Sequence, residues 1–391
     1  MTSPYPAPSA SPTPATAILP DQPRRSGGTG GAVAAAIGIA LASLLLLLVL
    51  AYLFVGLGVV GVAVSAVAAL LPLVVVLLTV RWIDRWEPEP RAALWFAFLW
   101  GAGASVVIAL LVDITLSIST AATGGEGLGD FGGSVIQAPI VEEGAKGFGV
   151  LLILWAGRRF FDGPVDGLVY AATVAAGFAF TENILYFGSS LIEGGFGELA
   201  TTFIVRGIFS PFAHIMFTAC TGLALGYASR VTGPLGAFGF FLLGLIPAVL
   251  LHALWNGAFY FVSDVLAYYL AVQVPLFLGA VAIVVVLRVH ERRITRQRLA
   301  EYAAVGWFTP GEVNLLSTHD GRRRAMAWAR NAPAGPGGVS RVAAMRRFVR
   351  DATRLAHTRQ RLLRGRAQIG SAPDEQALLE QITADRRALL A

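Results

Sequence analysis

The sequence has very little charge for its length of 391 residues. Asp, Glu, Lys and Arg together make up 14% of it, whereas hydrophobic residues make up 55%. Several apolar runs exceed the roughly 18 residues that indicate a membrane helix. The shortage of charge excludes an ordinary soluble domain and predicts an integral membrane protein.

Cysteine and lysine each occur only once. Because Cys220 has no second cysteine to pair with, an intrachain disulfide is excluded. Lys146 is the only lysine among 30 basic residues, and it lies inside an apolar segment. We interpret this choice as a need for a compact positive charge that fits between helices, which arginine does not provide.

Basic residues are scarce in the apolar part and abundant after residue 290, so the net charge of +6 arises mainly from the tail. Arginine-rich flanks are typical of the cytoplasmic side of a membrane protein, where they lie near anionic lipid. We therefore expect a membrane-surface tail at 290–391, built from short soluble helices, and no nucleic-acid partner.

The chain divides into three parts by composition. Residues 1–30 are rich in Pro, Ser, Thr and Gly, which predicts disorder. The membrane domain at 31–289 follows, and its first apolar run is too long for the core of a cleaved signal peptide. Eight apolar segments predict transmembrane helices, at 31–56, 58–80, 91–113, 134–157, 164–188, 201–229, 234–262 and 270–289.

The loops between these segments alternate between basic ones and ones without Lys or Arg. Basic loops stay cytoplasmic, so this alternation predicts eight spans with both termini in the cytoplasm. The sequence therefore predicts an all-α integral membrane protein with a small helical soluble C-terminal tail.

The segment PIVEEGAKGFG places Glu142, Glu143 and Lys146 within a predicted membrane helix. Each such group costs roughly 2.5–3.5 kcal/mol on insertion scales, so it needs a reason to be there. Lys146 follows Glu142 by four residues and Glu143 by three, so it can pair with either carboxylate.

Counting 1.5 Å per residue from the predicted membrane faces brings polar residues of four helices to overlapping depths in the outer half of the bilayer. Four unrelated structural polar groups would seldom coincide in this way. The candidate site residues are Glu142, Glu143, Glu182, His214, His252 and Asn256, with Lys146, Asn183, Tyr186 and Thr218 as supporting residues.

These residue types suit acid–base chemistry. Two adjacent carboxylates beside a cation can supply one general base and one protonated acid. His252 and Asn256 share a helix face and could hold an oxyanion. Taken singly, each His or Asn is more often an interhelical hydrogen-bond partner, and acidic and His chains also serve as proton relays in transporters.

Four motifs in order resemble the PrsW intramembrane proteases: EEGAK (142–146), GFAFTENILYF (177–187), FAHIMFTACTG (212–222) and HALWNG (252–257). DRWEPEP (84–90) and DGPVDGLVYAA (162–172) are also similar to segments of that family. The resemblance covers about residues 50–290. It implies a multi-helix peptidase of a bacterial-type cell membrane, related to the CAAX-prenyl proteases and bacteriocin-processing enzymes.

The resemblance implies that Glu142 and Glu143 activate water, that Glu182 is a third acidic position, and that His214 and His252 are two essential histidines. Asn256 varies in type within the wider group, and Glu182 replaces a histidine of its CAAX-type members. The implied substrate is a single-pass membrane protein such as an anti-sigma factor. Zinc at the Glu/His cluster stays open, since HExxH is absent but Glu and His both bind zinc. A proton- or ion-coupled transporter and an inactive scaffold are the alternatives.

Overall fold

The computed structural model describes residues 29–123, 127–158, 160–333, 340–363 and 372–390, and the regular elements within these ranges are all helices. The predicted disorder of residues 1–30 falls almost wholly outside the described residues. The chain divides into two compact units, and the boundary between Val284 and Val285 falls within a single helix.

The first unit contains the helices that a membrane would surround. They are α1 (Thr29–Ile83), α2 (Arg91–Leu99), α3 (Val106–Thr123), α4 (Gly129–Phe131), α5 (Ala138–Ala156), α6 (Pro164–Phe203), α7 (Ala213–Val231), α8 (Pro234–Phe261), α9 (Val265–Tyr268) and the start of α10 (Val274–Ala304). Short π-helical turns join or extend several of them, at Trp100–Ser105, Gly132–Gln137, Ile204–Phe209 and Tyr269–Gln273.

Among the described residues, five helical stretches are long and apolar enough to cross a membrane. They are Val33–Ile83, Arg91–Thr123, Pro164–Val231, Pro234–Phe261 and Val265–Ala304. The first is 51 residues long and the third 68, well beyond the roughly 20 residues that one crossing needs. Eight spans and cytoplasmic termini therefore stay a prediction.

Two glycines interrupt the long helices. Gly58 has φ 69° within α1, and Gly195 has φ 69° within α6, a conformation that side chains other than glycine rarely adopt. Gly58 falls at the boundary between the predicted segments 31–56 and 58–80. At these two glycines the backbone leaves the helical conformation, so the chain can change direction within a stretch that is otherwise helical.

Helix α6 is the central element of the first unit, because its first half is almost completely buried. It packs closely on α7, where a Cβ added to Gly167 or Gly222 would collide with the backbone carbonyl of the other glycine. Large apolar side chains face outward elsewhere, for example Val55 of α1, which is 89% exposed. A fold with a buried central helix and an apolar outside is what a lipid environment favours.

The second unit consists of the end of α10 with α11 (Pro310–Ser317), α12 (His319–Asn331), α13 (Arg341–Leu363) and α14 (Ala372–Leu390). A core that includes Leu316, Met345 and Phe348 holds these helices together. Helix α11 begins with a capping box, in which Thr309 and Glu312 satisfy each other's backbone N–H groups. The predicted helical tail thus has its own core, and α10 extends past residue 289 into it.

Candidate active site

Helix α5 carries the EEGAK motif in its middle turns. Pro139 lies in the first turn of α5, directly after the π-helical turn Gly132–Gln137. The helical period then brings Lys146 close to both acidic residues. Its ammonium Nζ lies 2.6 Å from Glu143 Oε1 and 3.5 Å from Glu142 Oε2, so Lys146 pairs with both carboxylates.

The Glu143 carboxylate contacts three partners, which lie on three different helices. In addition to Lys146, its Oε1 accepts a hydrogen bond from His252 Nδ1 at 3.1 Å, and its Oε2 accepts one from the Thr218 hydroxyl at 2.8 Å. The Glu143 side chain is completely buried, whereas 12% of the Glu142 side chain is exposed. Glu143 is therefore a fixed anchor, and Glu142 is the carboxylate that a water molecule can reach.

The partners of each histidine determine which ring nitrogen carries the proton. An ammonium only donates, so His214 Nδ1, at 3.2 Å from Lys146 Nζ, accepts, and His214 Nε2–H donates to Glu182 Oε2 at 2.8 Å. An ionised carboxylate only accepts, so His252 donates from Nδ1 to Glu143. His214 Nδ1 is therefore unprotonated, and in a neutral ring His252 Nε2 is unprotonated as well.

The two unprotonated nitrogens belong to rings that lie close together. The ring centroids of His214 and His252 are 5.2 Å apart, with their planes nearly perpendicular. His252 Nε2 lies 3.9 Å from Glu142 Oε2. Aromatic side chains form the walls, because Phe217 stacks on His252 and the Phe178 ring lies 4.2 Å from the Lys146 ammonium.

Glu182 of α6 joins the cluster from the other side of His214. Its Oε2 accepts hydrogen bonds from both His214 and Arg206. Arg206 also donates from Nε to Asn183 Oδ1 at 3.0 Å, and its Cζ lies 4.0 Å from the Tyr186 ring centroid. The supporting residues Asn183 and Tyr186 thus contact Arg206, while Lys146 and Thr218 contact the Glu143 carboxylate.

Asn256 has a different neighbour from the one that its spacing suggests. Its Nδ2 donates to the backbone carbonyl of Ser134 at 2.8 Å, and the Ser134 hydroxyl bonds to Tyr260 at 2.8 Å. Asn256 therefore links α8 to the π-helical turn that leads into α5. Its predicted contribution to an oxyanion site stays a prediction, since one hydrogen of its amide group is used in this link.

Arg206 contacts the site although it is not among the residues that the motifs predict. A signal was present in the sequence: Arg206 is the only basic residue between Arg159 and Arg230. Its neighbours could not be read from spacing. They depend on the interruption at Gly195 and on Pro211, since a proline disfavours helix in the residue before it.

A cavity of about 200 Å³ adjoins the cluster between α1, α3, α5 and α6. Glu142, Glu182 and Phe178 lie on its wall, and Tyr52 and Asp113 line it as well. Most of the wall is apolar, as expected for a space that admits a hydrophobic segment. The cluster thus borders this cavity through Glu142 and Glu182.

Three side chains of the cluster are of the types that hold a catalytic metal, and the Lys146 ammonium, which donates to His214 Nδ1, would have to give up this contact if Nδ1 bound the ion. Ligand atoms of Glu142, His214 and His252 all lie within 4.8 Å of one another. Each histidine has its other nitrogen held by a carboxylate, Glu182 for His214 and Glu143 for His252. Such carboxylate–histidine pairs are the usual second sphere of a zinc site, and three protein ligands leave one position open.

The fold and the cluster together define a polytopic membrane protein with a buried Glu/His/Lys site. The chain belongs to the PrsW family: the model described as "PrsW family intramembrane metalloprotease" matches residues 89–284, just over half of the chain. All the predicted site residues lie within this range.

Curated relatives are named "Protease PrsW". The protein of Clostridioides difficile (strain 630) is 30% identical over 39% of this chain and 61% of its own length. That of Geobacillus kaustophilus (strain HTA426) is 29% identical over 41% of this chain and 65% of its own length. The chain thus spans less than two thirds of these two relatives. That of Bacillus subtilis (strain 168) is 27% identical over 53% of this chain and 86% of its own length. No solved structure matches the chain.

Proposed function

We propose that this protein is an intramembrane peptidase that hydrolyses a peptide bond of a membrane-anchored regulatory protein. The observation that carries the proposal is the arrangement at Glu142, where a partly exposed carboxylate lines a cavity and its Oε2 lies 3.9 Å from His252 Nε2. The family description and the name of the relatives support the same activity.

Glu142 is the general base in this proposal. A water molecule entering from the cavity gives its proton to Glu142 and attacks the carbonyl carbon of the substrate, and the proton then passes to the departing amide nitrogen. General acid–base catalysis of this kind contributes about 10²–10⁴-fold to a rate. Glu143 stays ionised beside Lys146 and holds the His252 ring in position.

For His252 we propose a role other than the oxyanion contact that the pattern predicted. A neutral ring that donates from Nδ1 to Glu143 has no second proton for an oxyanion. We therefore propose that His252 Nε2 accepts a hydrogen bond from the attacking water. The remaining Nδ2 hydrogen of Asn256 supplies the oxyanion contact in this proposal.

The metal question concerns the same three side chains. In a loaded site Glu142, His214 and His252 would hold the ion, which would polarise the substrate carbonyl and lower the pKa of water. Glu142 would then be a ligand instead of the base. Measuring bound zinc in purified wild-type protein and in His214→Ala separates the two roles of Glu142, since only a loaded site loses metal with the substitution.

We further propose the membrane topology and the substrate class. The alternation of loop charge supports eight spans with both termini cytoplasmic, in a bacterial-type plasma membrane. Two of the five apolar stretches are more than twice as long as the roughly 20 residues of a single crossing, and α5 is a further apolar helix of 19 residues. A site in the outer half of the bilayer suits a single-pass substrate, such as an anti-sigma factor.

The test is cleavage of a panel of single-pass reporter proteins co-expressed with the protein. We expect Glu142→Gln and His252→Ala to abolish cleavage, whereas Glu193→Gln, an exposed acid of the same helix as Glu182, serves as a matched control that keeps it. Cleavage that survives both site substitutions would refute the proposal. A transporter would instead leave every reporter intact and show proton-dependent solute uptake.

A further inference from the structure

We propose that Arg206 is a positioning residue of the site, which holds the Glu182 carboxylate that accepts the His214 Nε2–H hydrogen bond and so fixes the orientation of the His214 ring. This inference rests on the proposed function for its kinetic consequence only. The state of the His214 ring can be measured whether or not the protein cleaves peptides.

Arg206 reaches Glu182 with a geometry that fixes the carboxylate. Its guanidinium donates from one terminal nitrogen to Glu182 Oε2 and from Nε to Asn183 Oδ1 at 3.0 Å. Its planar group also lies over the Tyr186 ring, with Cζ 4.0 Å from the ring centroid. These three contacts, to Glu182, Asn183 and Tyr186, fix the orientation of the planar guanidinium. A lysine ammonium could not make all three of them.

The oxygen that Arg206 holds is the one that receives the His214 proton. Glu182 Oε2 accepts from Arg206 and, at 2.8 Å, from His214 Nε2. An acceptor fixed at Nε2 keeps the proton there and leaves Nδ1 with its lone pair directed at Lys146 Nζ, 3.2 Å away. Arg206 thus acts on the Nε2 side of His214 through one oxygen atom of Glu182, while Lys146 contacts the Nδ1 side.

The local fold places Arg206 for this contact. It lies in the π-helical turn Ile204–Phe209, and such turns occur frequently at functional sites. The chain then breaks at Ser210–Phe212, so that α7 begins at Ala213 and His214 falls in its first turn. Arg206 therefore lies only eight positions before the histidine that it contacts through Glu182.

The direct test is nitrogen NMR of the protein with labelled histidine. The chain has five histidines, so a His214→Gln sample identifies the His214 signals. We expect wild-type His214 to be the tautomer with a proton on Nε2 and none on Nδ1. Arg206→Gln should shift the His214 Nε2–H signal, because Glu182 loses the donor that holds its acceptor oxygen in place, while Lys146 keeps Nδ1 unprotonated. A His214 ring unchanged by Arg206→Gln would overturn the proposal.

The kinetic test is a double-substitution cycle measured with a reporter that the wild type cleaves and Glu142→Gln does not. Arg206→Gln should lower kcat by about 10–100-fold with little change in KM, as for other residues that orient a reactive group. Arg206→Lys should recover part of this loss. In a Glu182→Gln background the Arg206→Gln substitution should have no further effect.

Arg230→Gln is the matched control, because Arg230 bonds to the backbone carbonyl of Asp162 at the far end of α7. We expect it to leave kcat unchanged per folded molecule. Additive losses for Arg206→Gln and Glu182→Gln would show that Arg206 only supports the helix, which would overturn the inference. If no reporter is cleaved, the proposed function fails, and the NMR result still decides the role of Arg206.

Discussion

Lys146 shows at the residue scale why a chain rich in arginine uses one lysine. Its ammonium is completely buried and contacts Glu143, Glu142 and His214 while lying over the Phe178 ring. An ammonium is a compact charge with three donors, whereas a guanidinium is a wide planar fork. This one cation lies beside two carboxylates of the same helix. Their attraction offsets part of the free-energy cost of burying the charges.

We predict that Thr218→Val destabilises the protein by about 1–3 kcal/mol. The substitution removes the hydroxyl that donates to Glu143 Oε2 and leaves a buried, charged oxygen without that donor. The measurement is the thermal unfolding midpoint of the purified protein in detergent.

Thr221→Val is the matched control for this prediction. Thr221 lies one turn further along α7 and is equally buried, but its hydroxyl has no hydrogen-bond partner among the described residues. The control should be neutral or slightly stabilising. Equal effects of the two substitutions would contradict the account of Glu143 as a hydrogen-bonded anchor.

Asp84 lies outside the membrane-spanning helices and makes stability depend on pH. Burial raises the pKa of Asp84 from 3.8 to about 7, even though its Oδ1 accepts from the Glu89 backbone N–H. The folded protein therefore binds this proton more tightly than the unfolded chain does, so stability falls as pH rises from about 4 to about 7.

We predict that Asp84→Asn flattens this dependence, since an amide oxygen accepts the same hydrogen bond without titrating. The measurement is the thermal unfolding midpoint at a series of pH values between 5 and 8. The slope of the midpoint against pH reports the difference in bound protons between the folded and unfolded states. Burial and the nearby Asp166 also hold the pKa of Glu89 well above its usual range, so a smaller slope should remain. A wild-type midpoint that rises over this interval would contradict the sign.

At the element scale, the close contact of α6 with α7 determines how well the site is assembled. Glu182 lies on α6, while His214 and Thr218 lie on α7. The helices touch through glycines, because a Cβ on Gly222 would collide with the Gly167 carbonyl. Small residues allow this close approach in a membrane, where packing instead of water exclusion drives helix association.

We predict that Gly222→Ala lowers the unfolding midpoint and weakens the site together, because the extra methyl group forces the helices apart. Gly239→Ala in α8 is the control, since a Cβ there would meet no heavy atom within 4 Å. The control should be neutral or mildly stabilising, as alanine favours helix over glycine. Equal unfolding midpoints for the two variants would contradict a tight glycine contact.

The sequence predicted helices, the motif on α5 and the residues that meet at it, but not all their contacts. Helical spacing suffices for Lys146 with its two glutamates, since all three lie on one helix. Spacing cannot predict that Arg206 reaches Glu182, because that contact depends on how the chain turns at Gly195. For the same reason the Asn256–Ser134 hydrogen bond was not foreseen: it joins residues far apart in the sequence.

At the scale of the whole molecule, helix length and loop charge both bear on how many times the chain crosses the membrane. Five apolar stretches are present in the described residues, and the longest of them contains interruptions. The charge of the loops predicts the topology more specifically than helix length does, because it assigns each loop to one side of the membrane.

We predict that alkaline phosphatase fused within 114–133, 189–200 or 263–269 is active, whereas fusions after residues 83, 157 or 231 are inactive. A fluorescent protein at the C-terminus should be fluorescent, as expected in the cytoplasm. An active phosphatase after residue 157 would contradict the eight-span topology, because it would place both ends of the EEGAK helix on the same side.

The most direct test of the central claim is mass spectrometry of a reporter cleaved in water labelled with heavy oxygen. Hydrolysis at the Glu/His cluster predicts a new C-terminal carboxylate inside the membrane segment of the reporter, carrying one heavy oxygen atom. The product should be absent with Glu142→Gln and present with Glu193→Gln. A labelled product that forms equally well with Glu142→Gln would contradict the account.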